Sequence, residues 1–202
     1  MDKYGSENDA ACYPDSDVLK NSLGITEQSL LDEAESEITE IAASEIEFEP
    51  PPYNLEYLKQ IHKTLFSDIY EWAGCVRQVD ISKNDTRFCN VQFIDREAAK
   101  LFDRLAEADY LIGLDRANLL KEAAEYYGEI NMLHPFREGN GRTQRILFEH
   151  LIVNAGYKIS WEDIDREEWI EANIAAVYCL YDKLEAIFER CIGDEISEEN
   201  NA

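Results

Sequence analysis

The sequence predicts an all-α domain interrupted by one β-hairpin. Three observations carry that prediction. Apolar residues recur at helical spacing over most of the chain. That spacing changes once, between Val76 and Phe93. A 45% hydrophobic content over 202 residues is enough for one core, and no internal repeat divides the chain.

The elements follow in order. Residues 1–16 are polar and read as a flexible N-terminal arm; the domain proper spans 17–192, and 193–202 read as an acidic flexible tail. From Ser29 to Phe48 the residues Leu30, Leu31, Ala34, Ile38, Ile41 and Ala42 share one helical face, and Pro50-Pro51-Pro52 ends it. Leu55 to Trp72 reads as a second amphipathic helix, stopped by Gly74. Val76, Val79 and Ile81, then Phe88, Val91 and Phe93 across a polar turn, read as the two limbs of the hairpin. Asp95 can cap a helix running to about Tyr110. A further helix, Leu119 to Met132, runs straight into His134, and the next begins near Gly141 and ends at Gly156. Ser160 with Asp163 resembles a capping box opening a last helical stretch to about Ile192, broken once.

Charge and cysteine usage exclude several function classes. Asp and Glu number 43 against 19 Lys and Arg, a formal net charge of −24. Such a surface repels nucleic acid and anionic membranes, so direct binding to either is not expected. No apolar run reaches the length of a membrane span, and the polar start Met1-Asp2-Lys3-Tyr4-Gly5-Ser6-Glu7 lacks a signal-peptide core. Cysteines 12, 75, 89, 179 and 191 are odd in number and show no C-x-x-C spacing. They read as reduced thiols in a cytoplasmic protein rather than a disulfide frame or a zinc site.

One run concentrates chemistry: His134-Pro135-Phe136-Arg137-Glu138-Gly139-Asn140-Gly141-Arg142-Thr143-Gln144-Arg145. Pro135 stops the preceding helix, so the imidazole of His134 sits at a helix end, available as a general base at neutral pH. Gly139-Asn140-Gly141 offers backbone without bulk where a helix begins, a natural anion site; alone it would be an ordinary turn. Arg142 and Arg145 project from one face of that helix near its N-terminus. There they oppose the helix dipole at a cost of roughly 0.3–1 kcal/mol each, a cost that an anionic ligand would reverse. Glu138 can pair with Arg142 at i,i+4, or hold Mg²⁺ together with phosphate oxygens. Taken together, the residues suit a nucleoside triphosphate with Mg²⁺ on Glu138. A hydrolase built on His134 and Glu138 alone lacks the further metal ligands such a site needs. His62 and His150 lie within helical patterns with no constellation around them and read as structural.

The run resembles H-P-F-x-[D/E]-G-N-G-R-x-x-R, the signature of the Fic family, at every defined position. Tyr13-Pro14, Leu19-Lys20-Asn21, Gly24-Ile25, Ile61-His62, Leu65-Phe66 and Trp72-Ala73-Gly74 are similar to segments upstream of it in bacterial members. The resemblance implies a Fic-type helical bundle with the hairpin as a flap, and protein adenylyltransferase activity: transfer of AMP from ATP to a Tyr, Thr or Ser hydroxyl of a target protein. In that reading His134 is the base and Glu138 the Mg²⁺ ligand. Gly139, Asn140 and Gly141 cradle the α- and β-phosphates, Arg142 and Arg145 clamp the β/γ end, and Phe136 anchors the loop in the core. Thr86, Arg87 and Phe88 form the target-docking part of the flap.

Many members carry an inhibitory [S/T]-x-x-x-E-[G/N] helix whose glutamate pairs with the second arginine. Ser29-Leu30-Leu31-Asp32-Glu33-Ala34 ends in Ala, and Ser197 is followed by Asn201 at the required place. The resemblance therefore implies a toxin restrained by a separate small antitoxin, with a type II topoisomerase subunit as a target by analogy. Transfer of another phosphate-containing group (phosphoryl, phosphocholine or another nucleotide) and a non-catalytic regulatory role are the alternatives. Gly139-Asn140-Gly141 weighs against phosphorylation, and the intact His134, Glu138, Arg142 and Arg145 weigh against loss of catalysis.

Overall fold

The computed structural model describes residues 11–83, 85–162 and 164–196. Two helices form its centre and are buried over most of their circumference. On α4 (Arg116–Leu133), Leu119, Ala123, Ala124, Tyr127, Ile130 and Leu133 are buried. On α5 (Asn140–Asn154), Ile146, Leu147, Phe148, Leu151 and Ile152 are buried. The other helices pack around this pair, directly or through a neighbour. Helix α1 (Gln28–Ser44) packs on α2 (Leu55–Phe66), α2 on α5, α3 (Ile94–Glu107) on α4, and α6 (Arg166–Ala176) and α7 (Asp182–Cys191) on one another and on α4. Asn54 and Asp115 cap α2 and α4 by accepting hydrogen bonds from the N–H of Tyr57 and Asn118.

Several boundaries differ from the sequence expectation. Helix α1 ends at Ser44, short of Phe48. Helix α2 stops at Phe66 rather than Trp72, and the chain beyond it tightens into i→i−3 turns, Ile69 N–H to Phe66 O, Ala73 N–H to Tyr70 O and Cys75 N–H to Trp72 O. The hairpin is shorter than expected: β1 (Ser82–Lys83) pairs antiparallel with β2 (Thr86–Arg87), and Val91–Phe93 is a 3₁₀ turn capped by Asn90. Asp95 lies in the first turn of α3 rather than capping it. Asp163 of the expected capping box lies outside the described residues; the observed cap of α6 is Asp165, which accepts from the N–H of Glu167 and Glu168.

The two ends expected to be flexible make main-chain hydrogen bonds where they are described. Residues 1–10 lie outside the described residues, but Lys20 N–H donates to Ala11 O (2.7 Å) and Tyr13 N–H to Val18 O (2.9 Å). Those bonds place Val18 and Leu19 in the core. In the tail, β4 (Ile192–Glu195) pairs with β3 (Tyr157–Ile159) as a second two-stranded sheet. The guanidinium of Arg116 donates to the carbonyls of Glu189, Ile192 and Gly193 and holds the strand against α4. Residues 197–202, with Ser197 and Asn201, lie outside the described residues.

Candidate active site

A cleft of about 1280 Å³ opens over the start of α5, between α1, the hairpin and α6. Its lining includes His134, Glu138, Gly139, Gly141, Arg142 and Arg145 from the motif, and Thr86 and Phe88 from the hairpin. Two predicted residues do not line it. Arg87 is exposed and turns to Asp80 (3.2 Å). Asn140 is buried, and its side chain is occupied within the loop: Oδ1 accepts from Phe136 N–H and Nδ2 donates to Phe136 O, both at 2.8 Å. That clip gives the loop its shape and leaves only the backbone of Asn140 for a ligand.

His134 caps α4 in the left-handed region, with φ 43° and ψ 60°. A non-glycine residue there is uncommon and is held by its surroundings. Its Nδ1 lies 2.9 Å from Asn131 O. A carbonyl can only accept, so Nδ1 carries the proton and Nε2 is the basic nitrogen of the neutral ring. Phe88 from the hairpin lies flat on the imidazole, with ring centroids 3.8 Å apart and planes 14° apart. Burial pushes the His134 pKa down to about 4, against the raising effects of the Asn131 carbonyl and Glu138. The ring is therefore neutral at physiological pH.

Gly139 opens α5 with φ 79°, and a Cβ there would stand 2.3 Å from the Phe66 ring. Both facts require glycine. The first intrahelical bond is Thr143 N–H to Gly139 O (3.1 Å), so the N–H groups of Asn140, Gly141 and Arg142 precede it and carry the positive end of the helix dipole. A Cβ on exposed Gly141 would meet nothing within 4 Å, so an anion has room to approach the backbone there.

The two arginines have different surroundings. Arg142 is bound to α1: its guanidinium lies 2.5 Å from Glu35 Oε2 and 3.1 Å from Thr39 Oγ1, and 4.7 Å over the Phe66 ring. It also lies 3.5 Å from Glu138. Arg145 has no such ion pair among the described residues, and it lines the cleft. Sequence reasoning missed Glu35, whose carboxylate also accepts from the Tyr70 hydroxyl. Burial and the Glu35 charge raise the Tyr70 pKa and keep that hydroxyl a donor. Its signal was present on α1, where Leu31, Glu35 and Thr39 form one buried stripe with an acid in the middle.

Glu138 is buried with its carboxylate at the cleft. Its backbone is held by His62, which lies outside the cleft lining. Gly74 N–H donates to His62 Nδ1 (2.8 Å), so Nε2 carries the proton and donates to Glu138 O (3.0 Å). His62 also stacks on Phe136, which is fully buried (centroids 3.9 Å). His150 lies elsewhere, buried against Tyr57. Among the described residues no cluster of three or more acids, His or Cys could hold a metal unaided. One carboxylate beside an anion site fits Mg²⁺ brought in with a polyphosphate, the usual manner for that ion.

Comparison with known proteins places this geometry. The sequence pattern of the Fic/DOC family matches residues 52–152. The chain is 41% identical over 193 residues to the probable protein adenylyltransferase Fic of Escherichia coli K12, covering 96% of each. It is 39% identical over 192 residues to the protein adenylyltransferase VbhT of Bartonella schoenbuchensis, covering 94% of this chain and 40% of that protein. The N-terminal Fic domain of a VirB-translocated Bep effector from Bartonella quintana has a TM-score of 0.84 and 32% identity over 92% of each chain. BepC from Bartonella tribocorum, solved with bound AMPPNP, has a TM-score of 0.83 and 27% identity over 92% of this chain and 97% of that one. The chain belongs to the Fic/DOC family.

Proposed function

We propose that this chain is a protein adenylyltransferase that moves AMP from ATP to a Tyr, Thr or Ser hydroxyl of a target protein. The observation that carries the proposal is a neutral histidine sharing one cleft with a helix N-terminus and with Arg145. The target oxygen attacks the α-phosphorus, its bond to the bridging oxygen breaks, and pyrophosphate leaves. The hydroxyl proton passes to Nε2 of His134, while Nδ1–H stays on Asn131 O and keeps the ring in place. The N–H groups at the start of α5 receive the α- and β-phosphates, and Arg145 the far end. Arg142 joins that clamp only from its anchored position on Glu35. Glu138 would hold Mg²⁺, which when bound neutralises charge on the polyphosphate. The edge of the short hairpin, with Thr86 and Phe88 facing the cleft, receives the target segment by main-chain pairing.

Control by a separate antitoxin-like protein is part of the same proposal. Glu35 is a glutamate of this chain in the cleft, yet it engages Arg142. Arg145 is then the arginine left for a partner's glutamate to cover. The labelling test is direct. The protein is incubated with a lysate, Mg²⁺ and ATP labelled at either the α- or the γ-phosphate. Protein-bound label from the α position alone supports AMP transfer; label from the γ position refutes it.

A further inference from the structure

The reaction above makes no use of Arg77, although its side chain is fully buried beside the site. A guanidinium out of water requires partners for its donors. Arg77 finds main-chain carbonyls on three separate segments. Nε donates to His134 O (2.9 Å), Nη1 to Val79 O (2.6 Å) and Nη2 to Cys89 O. Val79 leads into the hairpin and Cys89 leads out of it. Two backbone bonds bind the same segments: Arg77 N–H to Pro135 O and Cys89 N–H to Met132 O, both 2.9 Å. Phe88, adjacent to Cys89, supplies the ring stacked on His134.

The nearest carboxylate, Asp80, is 3.9 Å from Nη1, so Arg77 is not primarily one half of an ion pair. An apolar side chain would fill the same space without desolvating a charge. What a planar fork of donors adds is a fixed relation among three carbonyls. We propose that Arg77 is a positioning residue for the transfer reaction. It ties both limbs of the hairpin to the main chain of His134, so that a target segment docked on the hairpin meets Nε2 at a set distance. This rests on the assignment of His134 as base and of the hairpin as docking edge.

Two measurements test it on the whole protein. Amide hydrogen exchange, with no nucleotide or target present, compares wild type with Arg77→Lys. Lysine keeps the charge but cannot span three acceptors. Exchange should rise by about ten-fold or more in 86–89 and in 134–136 together, with α2 and the second half of α5 unchanged. Loosening of the hairpin alone, or of the whole chain uniformly, overturns the proposal. Steady-state AMP transfer should show kcat down ~10²-fold, the scale of a misplaced base, with KM for ATP within about threefold of wild type. A rise in KM for ATP with kcat retained overturns it. Should Arg77→Lys fail to fold, Phe88→Leu removes the ring on His134 without disturbing a buried charge. It should again raise exchange in 134–136, and no rise there refutes the coupling. If the wild type transfers no AMP, the functional reading fails, while the exchange data still decide whether hairpin and His134 move as one.

Discussion

Replacing Glu35 tests how firmly Arg142 is anchored. The Glu35 side chain is 6% exposed and that of Arg142 25%, and their charged atoms approach to 2.5 Å. Charge centres ~4 Å apart interact by about 4 kcal/mol at an effective dielectric of 20, before desolvation is subtracted. Glu35→Ala also removes the acceptor of the Tyr70 hydroxyl and leaves Glu138, 3.5 Å away, as the remaining carboxylate on the guanidinium, so the cost should be about 3 kcal/mol, the low end for breaking a buried pair. Glu35→Gln keeps an oxygen for Tyr70 and should cost less, about 1–3 kcal/mol. For a domain of this size each kcal/mol is worth about 2–4 °C in Tm. Urea unfolding of Glu35→Gln, Arg142→Met and the double variant completes a cycle whose coupling should reach about 1.5 kcal/mol or more. A coupling under about 0.5 kcal/mol would show the pair to be screened by solvent, and Arg142 would then be as available to phosphate as Arg145.

Other expectations follow from the same geometry. Arg145→Ala should raise KM for ATP about 10- to 100-fold, the worth of a charge-assisted hydrogen bond, with Tm nearly unchanged because Arg145 lacks an ion pair among the described residues; an unchanged KM removes it from the phosphate site. Gly139→Ala forces a Cβ into the Phe66 ring at positive φ. Urea unfolding should show a loss of about 2–5 kcal/mol, and a neutral result would mean that the loop can relax. Burial depresses the pKa of His134 and His62 to about 4, so the unfolded chain binds more protons than the fold below the ordinary 6.5. Their contribution to stability is full above pH 6.5 and is lost as pH falls toward 4, which a pH series of melts will show. For the same reason kcat/KM should stay level down to about pH 5 and fall near 4, and an acid limb centred at 6.5 would contradict the buried base.

Helices α2, α3 and α7 were legible because each carries a strong apolar period, whereas on α1 Leu30 and Ile41 of the expected face are exposed; the motif was legible because its residues are contiguous. What the sequence hid is non-local. Glu35 meets Arg142 across 107 residues, so on α1 it looked like one more acid on an acidic helix. Arg77 carries no local signal because its partners His134 and Cys89 are 57 and 12 residues away. The flanks of the hairpin resembled strand limbs from their spaced apolar residues. Arg77 and Cys89 pair instead with Pro135 and Met132, and the ladder between the limbs holds two residues on each, extended by one bond from Phe88 N–H to Ile81 O (3.3 Å). The C-terminal strand was hidden by its acidic composition, and Arg116, 76 residues upstream, holds it down. Asn140 shows the reverse case: its place in the motif suggested a ligand contact, and its side chain is consumed in shaping the loop.

The central claim is that His134 accepts the proton of a target hydroxyl as AMP is transferred. Mass spectrometry of a target protein treated with wild type or with His134→Ala tests it most directly. The account predicts one adenylyl group on a Tyr, Thr or Ser side chain with wild type, and a loss of roughly 10²–10⁴-fold in its rate of formation with His134→Ala. A phosphoryl group in its place, or adenylylation at an undiminished rate by His134→Ala, would contradict it.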